Sequence, residues 1–458
     1  MTTVSSPQAG RARARARAAI LAAATALAGC AGPALNARHR DQGQSFAATA
    51  PAPAAPDAGE PPFAALGRLE REPLVREVLR RNPSLEATRQ AWKAVLERYP
   101  QETSLDDPML GYAVAPRSFG SSRVKDGQRV DFAQRLPFPG KLALRGESAL
   151  AEAEAAQNEF ESARLRLAEA ASLLFDDYYA ATRAIEINAA HEVLLGELLR
   201  VATARYAAGE GSQQDPLQAE VELAHVEHDA HQLETERRLT VARIDALLHR
   251  RPDAPLPPPP DALTLPPSTL LDREALTQQA LRERPDLRAA DARVRGVESA
   301  VALARREFLP DVTLVGGYDG LWQEKELRPT LGLQFDLPIR LARRQGALAE
   351  ARARLAQAAS ERAALEDEAR FEVGVGIDRL EETRHALRLL EDRLLPATRD
   401  RIAAARAGFE TGRNAFDAVI EAQRALRDAE LDREQALADL SRRHAELERA
   451  TGALAGLR

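Results

Sequence analysis

Three histidines, His225, His228 and His231, repeat every third residue in a stretch whose pattern predicts a helix. Imidazoles at i and i+3 can share a metal ion, but at this spacing successive positions turn away from one another by roughly 60°. No carboxylate at matching spacing completes a site, so the trio reads as a solvated helix face and no metal is assigned. A second set of charged residues follows two glycine breaks: Asp215 lies six residues after Gly209, and Arg413 and Asp417 lie one and five residues after Gly412. Aspartates at predicted helix starts can serve as N-caps. Gly-x-Ser-x-Gly, His-Glu-x-x-His and P-loop patterns are all absent, so no catalytic residues and no cofactor are assigned, and the chain is not expected to be an enzyme.

The lone cysteine, Cys30, excludes an intrachain disulfide and any cysteine-cluster metal site. Residues 11–17 alternate Arg and Ala, and the apolar stretch Ala18 to Ala28 follows, which together form the charged and apolar regions of an export signal over residues 1–29. Leu27-Ala28-Gly29-Cys30 resembles the bacterial lipobox, which implies cleavage before Cys30 and acylation of that residue, palmitate included. Ala31 stands where an Asp would favour retention at the inner membrane. Residues 30–72 then read as a lipid-anchored Pro/Ala-rich tether, extended where prolines crowd residues 41–62. The net charge of −6 disfavours nucleic acid as a partner, and no apolar run of about 18 residues after residue 30 could form a spanning helix.

The elements that carry these residues are written twice. Leu79-Arg-Arg-Asn-Pro83-Ser-Leu85 matches Leu281-Arg-Glu-Arg-Pro285-Asp-Leu287 at an offset of 202, and Tyr206-Ala-Ala-Gly209 matches Phe409-Glu-Thr-Gly412 at 203. A repeat of this length sets the architecture before any motif does. The halves are 73–251 and 268–458, separated by the Pro-rich linker 252–267, which can be neither helix interior nor central strand.

Each half changes from helical to alternating periodicity and back. Helices are expected from about Pro73 to Glu97 and from Asp272 to Arg306. Strands follow at 109–116 and 129–136, and at 311–319 and 330–337. Leu110, Tyr112 and Val114 share a face, as do Leu331, Leu333, Phe335 and Leu337, opposite small or polar residues. That is the lipid-out, lumen-in pattern of a membrane barrel strand, at about the right length. Segments 108–140 and 308–338 hold eight of the chain's 20 aromatics, which make up only 4% of its residues overall, as interfacial girdles would require. Long helices follow, Lys141 to about Ala207 and Leu341 to about Ala407, each ~100 Å if continuous. The first has no internal proline and the second has only Pro396. Both lead to a glycine break and a return helix.

A membrane sheet must close, because lipid offers no partner for edge N–H and C=O groups. Four strands cannot close a barrel, so several copies must share one. The lipobox, the doubled helix–hairpin–long-helix unit, the lead-in Leu136-Pro137-Phe138-Pro139-Gly140-Lys141 and the two glycine-to-aspartate turns resemble the TolC family of outer membrane efflux proteins. The resemblance covers residues 73 to 452. It implies a mainly α fold with a small β-barrel portion: a homotrimer sharing a twelve-stranded outer-membrane barrel that continues into a periplasmic α-helical tunnel. It also implies an outer-membrane, lipid-anchored location and two partners, a periplasmic adaptor (membrane fusion) protein and an inner-membrane pump of the resistance-nodulation-division type. The stretch 136–146, LPFPGKLALRG, is similar to the heavy-metal efflux branch.

By the same resemblance, Asp215 and Asp417 ring the periplasmic gate and Arg413 ties the closed aperture together. Three like carboxylates would repel one another, so releasing an Arg–Asp link would favour opening. The turns Gly209, Glu210, Gly211 and Gly412, Arg413, Asn414 are where the adaptor would dock. The alternative reading is a lipid-anchored periplasmic coiled-coil scaffold without a pore, which has no use for two-faced hairpins.

Overall fold

The structure is a computed structural model and describes residues 32–49, 67–124, 127–252, 254–264 and 271–453. The elements are α1 (Pro33–Ala48), α2 (Arg71–Arg81), α3 (Pro83–Leu96), α4 (Arg98–Thr103), β1 (Met109–Val114), β2 (Gln128–Leu136), α5 (Lys141–Ala207) and α6 (Gln214–Leu247). Then come α7 (Arg273–Glu283), α8 (Pro285–Arg306), β3 (Val312–Asp319), β4 (Pro329–Phe335), α9 (Leu341–Leu389), α10 (Leu395–Glu410) and α11 (Phe416–Ala450). Two compact units divide the chain. One takes residues up to 50, 89–158 and 288–364, and the other takes 51–88, 159–287 and 365–458. No described helix is long and apolar enough to cross a membrane.

The first unit holds a single four-stranded antiparallel sheet in the order β1-β2-β3-β4. Its register pairs Leu110 with Phe132, Tyr112 with Val130, Phe132 with Gly316 and Leu314 with Leu333. Residues directly opposite in a ladder point the same way. One face therefore carries Leu110, Tyr112, Val130, Phe132, Leu314, Tyr318, Leu331, Leu333 and Phe335. The other carries Gly111, Ala113, Asp131, Arg135, Thr313, Gly317, Thr330 and Gln334. Both hairpins are thus joined into one two-faced sheet. β1 stops at Val114, two residues short of expectation, because Pro116 opens a 3-10 turn. β4 stops at Phe335: Asp336 N–H still donates to its in-register partner Asp311 O at 3.1 Å, the last bond of the ladder, and Pro338, two residues on, has no N–H to extend it.

The expected extended tether is corrected over its first part: residues 33–48 are α1. Pro33 supplies a helical φ at the first turn, and Leu35, His39, Gln42 and Phe46 form one stripe at helical spacing. Leu35 is buried, His39 stacks on Tyr99 with ring centroids 4.6 Å apart, and Gln42 Nε2 donates to Leu150 O at 3.2 Å. Phe46 meets the edge of Trp92 at 5.3 Å and lies under Arg89 at 4.7 Å. The Ala-rich composition hid this stripe. Residues 50–66 and Cys30 lie outside the described residues.

The expected single helices 73–97 and 272–306 are each broken, at Asn82 (ψ 120°) and Arg284 (ψ 123°). The ring of the following proline excludes the helical conformation there. In the second unit the break frees Asn82 to donate from Nδ2 to Leu247 O at 3.0 Å while its Oδ1 accepts from Ser84 N–H at 2.9 Å. Arg284 is buried and bonds to Asp286 and Glu372. These two carboxylates hold its guanidinium charged, its pKa raised against the cost of burial, and Arg284 in turn holds Asp286 below the ordinary carboxylate range. α5 is continuous over 67 residues, whereas the helix begun by α9 widens into a π turn at Leu390–Leu394 just before Pro396. Proline offers no N–H to the carbonyl one turn back and clashes with it, and a wide turn relieves both. The described part of the Pro-rich linker, 254–264, is irregular and is tied down by hydrogen bonds: Pro258 O accepts from Leu69 N–H at 2.8 Å and Pro257 O from Tyr178 Oη at 3.2 Å.

Candidate functional site

Both glycine breaks close their helices in the same way. Gly209 N–H donates to Tyr206 O and Glu210 N–H to Arg205 O, at 3.0 and 2.9 Å. Gly412 N–H donates to Phe409 O and Arg413 N–H to Gly408 O, at 3.0 and 2.8 Å. This is the Schellman arrangement, and it needs the left-handed backbone found at Gly209 (φ 76°) and Gly412 (φ 70°). Gly211 lies against Arg205. Asn414, whose backbone N–H also donates to Gly408 O at 3.1 Å, crowds Gly408 so closely that a Cβ there would overlap its side-chain amide. Sequence reasoning passed over Gly408; its spacing four residues before Gly412 was the available signal.

The N-cap reading of the two aspartates is corrected. Asp215 and Asp417 are each the second residue of their helix, behind Gln213 and Ala415 as caps, and Ser212 Oγ accepts the capping bond from Gln214 N–H at 3.1 Å. Inside the first turn their charge instead faces the positive end of the helix dipole. Asp417 is exposed and Asp215 half-buried. Arg413 is exposed and donates from Nε to Thr411 Oγ1 at 3.1 Å; among the described residues it makes no ion pair with either aspartate. His225, His228 and His231 are all exposed on α6, and His228 contacts Gln232 at 3.0 Å.

The contacts that bind the two turns together involve residues that sequence reasoning did not single out. Arg205, at the end of α5, lies 4.5 Å over the ring of Phe409 at the end of α10 and donates from Nη1 to Phe409 O at 3.0 Å. Phe409 in turn packs on Phe416 at 5.3 Å. Arg427 bridges to Asp229 at 3.1 Å, and Arg424 pairs with Glu222, each joining α11 to α6. Deeper in, His191 is buried between Gln423 and Glu430. Gln423 Nε2–H donates to its Nδ1 at 2.7 Å, and Nε2–H donates to Glu430 at 2.9 Å. The bond from His191, with the charge of Arg399 beyond it, holds the Glu430 carboxyl below its ordinary range despite burial.

In the first unit the lead-in Leu136–Lys141 meets the start of β3. Lys141 is buried and donates from Nζ to Asp311 Oδ1 at 2.8 Å, Leu309 O at 3.2 Å and Glu307 at 3.3 Å. Asp311 also accepts from Phe138 N–H and from Arg135, both at 2.9 Å, so one carboxylate ties both hairpins and α5. Gly140 (φ 88°) also leaves room for Arg306 to reach past it to Pro139 O at 2.6 Å; a Cβ there would displace the guanidinium. Lys141 stood in the motif, but its partner Asp311, 170 residues away, carried no local signal.

With a small two-faced sheet in one unit and long helices closed by glycine turns in the other, the chain has the fold of TolC-like outer-membrane channels. Residues 276–453 match the family model described as outer membrane efflux protein. Among solved structures the chain is similar to the outer-membrane channel OprN, at 21% identity over 89% of this chain and 97% of that one, with a TM-score of 0.69. It is also similar to the outer membrane protein VceC from Vibrio cholerae (20%, 84% and 96%, 0.71) and to CusC, a structure described in terms of transmembrane channel formation (15%, 89% and 98%, 0.71). A comparison with curated protein sequences finds no match.

Proposed function

We propose that the protein is the outer-membrane channel of a tripartite efflux system, conducting cargo passively from an inner-membrane pump, through a periplasmic adaptor, to the exterior. The observation that carries this reading is the sheet: four strands with one apolar face, both edges open, and helices at one end only. Lipid can cover the apolar face, and only further copies can satisfy the edges. Three copies give a twelve-stranded barrel lined by the polar face, with the tandem halves of each chain contributing two strands apiece. Cys30 carries the acyl anchor, and α1, beginning three residues later, holds that anchor to the folded chain. Asp215, Asp417 and Arg413 form the gate at the turns, with Arg413 pairing across copies, since it has no carboxylate partner among the described residues of its own chain. Gly209, Glu210, Gly211, Gly412, Arg413 and Asn414 present the adaptor-docking turns.

Conductance of the purified protein in planar bilayers, with heat-modifiable migration, tests the reading. Discrete channel steps from an oligomer are expected, and Arg413→Glu should raise conductance. A monomeric, non-conducting lipoprotein would sink the channel proposal in favour of a scaffold; unchanged conductance in the variant would remove Arg413 from the gate.

A further inference from the structure

The sheet leaves two strands half-paired, β1 and β4, at its opposite edges. Their side chains are exposed along almost the whole length, Leu110 to 76% and Leu331 to 82%, and edges this apolar are templates for further pairing. Because the four strands alternate in direction, β4 of one copy and β1 of the next are antiparallel, as every pair within the sheet already is. An isologous β1–β1 pairing would instead send the helices of the two copies to opposite ends.

The same end of the sheet carries opposite charge at its two edges. Asp106 and Asp107 directly precede β1, and Arg340 and Arg343 follow β4. All four are exposed, and none makes an ion pair among the described residues. Other basic groups at this end of the sheet are engaged elsewhere: Arg135, on which Asp106 acts electrostatically, bonds to Asp311 and lies 3.7 Å from Asp336. Lys141 is buried on Asp311, and Arg344 donates to Glu307 O. Three strand spacings, about 14 Å, separate β1 from β4 within one copy, so these acids and bases meet only between copies.

On the channel reading β4 of one copy adds to β1 of the next; we propose that Arg340 and Arg343 pair with Asp106 and Asp107 of that neighbour, fixing the register of the joint. This rests on the channel reading, and it adds to that ring the contact that sets its register. A one-residue slip would turn the apolar face inward, but a slip of two residues keeps every side chain on its own face, and β1 has six residues and β4 seven. A charge pair just beyond the ladder removes the slipped alternatives.

The test is a charge-swap cycle on the full-length protein in detergent, read by native mass spectrometry and by oligomer migration. Asp106→Lys with Asp107→Lys, and separately Arg340→Glu with Arg343→Glu, should each weaken association by on the order of tenfold per interface, from two exposed attractions replaced by repulsions. The fourfold variant should restore the oligomer. No loss in either double variant, or a fourfold variant no better than the doubles, would overturn the proposal. So would loss of bound phosphatidylglycerol from the Arg340→Glu, Arg343→Glu protein with its oligomer intact, which would assign the basic edge to lipid headgroups. A wild-type oligomer that does not conduct would sink the channel reading and leave this joint standing.

Discussion

Replacing Lys141 with Met removes a buried ammonium whose side chain is 2% exposed and which sits 2.8 Å from an Asp311 carboxylate that is itself 7% exposed. Breaking a buried pair on one side leaves an uncompensated charge and costs about 3–5 kcal/mol. Here Asp311 keeps Arg135 and the Phe138 N–H, so the lower end, about 3 kcal/mol, is expected. Asp311→Asn leaves Lys141 with Glu307 and the Leu309 carbonyl and should cost about 2 kcal/mol. The double variant, which buries neither charge, should fall well short of the sum, with a coupling of at least about 1 kcal/mol. Denaturant unfolding of the detergent-solubilised protein, followed by tryptophan fluorescence and repeated for all four proteins of the cycle, measures this. A Lys141→Met protein within about 0.5 kcal/mol of wild type, or an additive cycle, would refute the view that this ion pair locks the two hairpins to α5.

Gly209 and Gly140 share a left-handed backbone but differ in surroundings. Gly209→Ala, with open space at its Cβ, should cost only the backbone penalty, about 1 kcal/mol, while Gly140→Ala must also displace Arg306 from Pro139 O and should cost visibly more in the same assay. Asp176 is fully buried beside Arg71 and Ser441, and burial pushes its carboxyl up to about 7, the neighbouring arginines only partly opposing this. Its folded pKa therefore exceeds its unfolded one, so its contribution is complete below about pH 4 and is lost as pH rises towards 7. Asp176→Asn should flatten the stability profile across that window; an unchanged slope would exclude Asp176 as its source. Arg205→Met, which removes the bond to Phe409 O and the ring contact, should loosen the paired turns, read as faster amide exchange at Gly412 and Arg413, with far-UV circular dichroism unchanged.

Much of this was legible in the sequence because local rules govern it. Alternation in 109–116 and 330–337 announced two-faced strands, since a pleated strand turns successive side chains to opposite sides. Gly209 and Gly412 announced helix ends, since only glycine takes the required backbone at little cost. The same locality explains the misses. The expected helices ran straight through Pro83 and Pro285, although the exclusion of helical backbone before a proline is a local rule that marks both breaks; at Pro396 the choice between a break and a π turn depended on the packing around it. The α1 stripe was present in Leu35, His39, Gln42 and Phe46, yet an isolated helix of that length is marginal, and it is Tyr99, Trp92 and Leu150 that hold it. The union of both hairpins in one sheet, the Asp311 hub and the His191 cross-link join residues far apart in the chain. Such pairs leave no periodicity to read, and only the folded backbone, by bringing them within hydrogen-bond reach and out of water, decides that they exist.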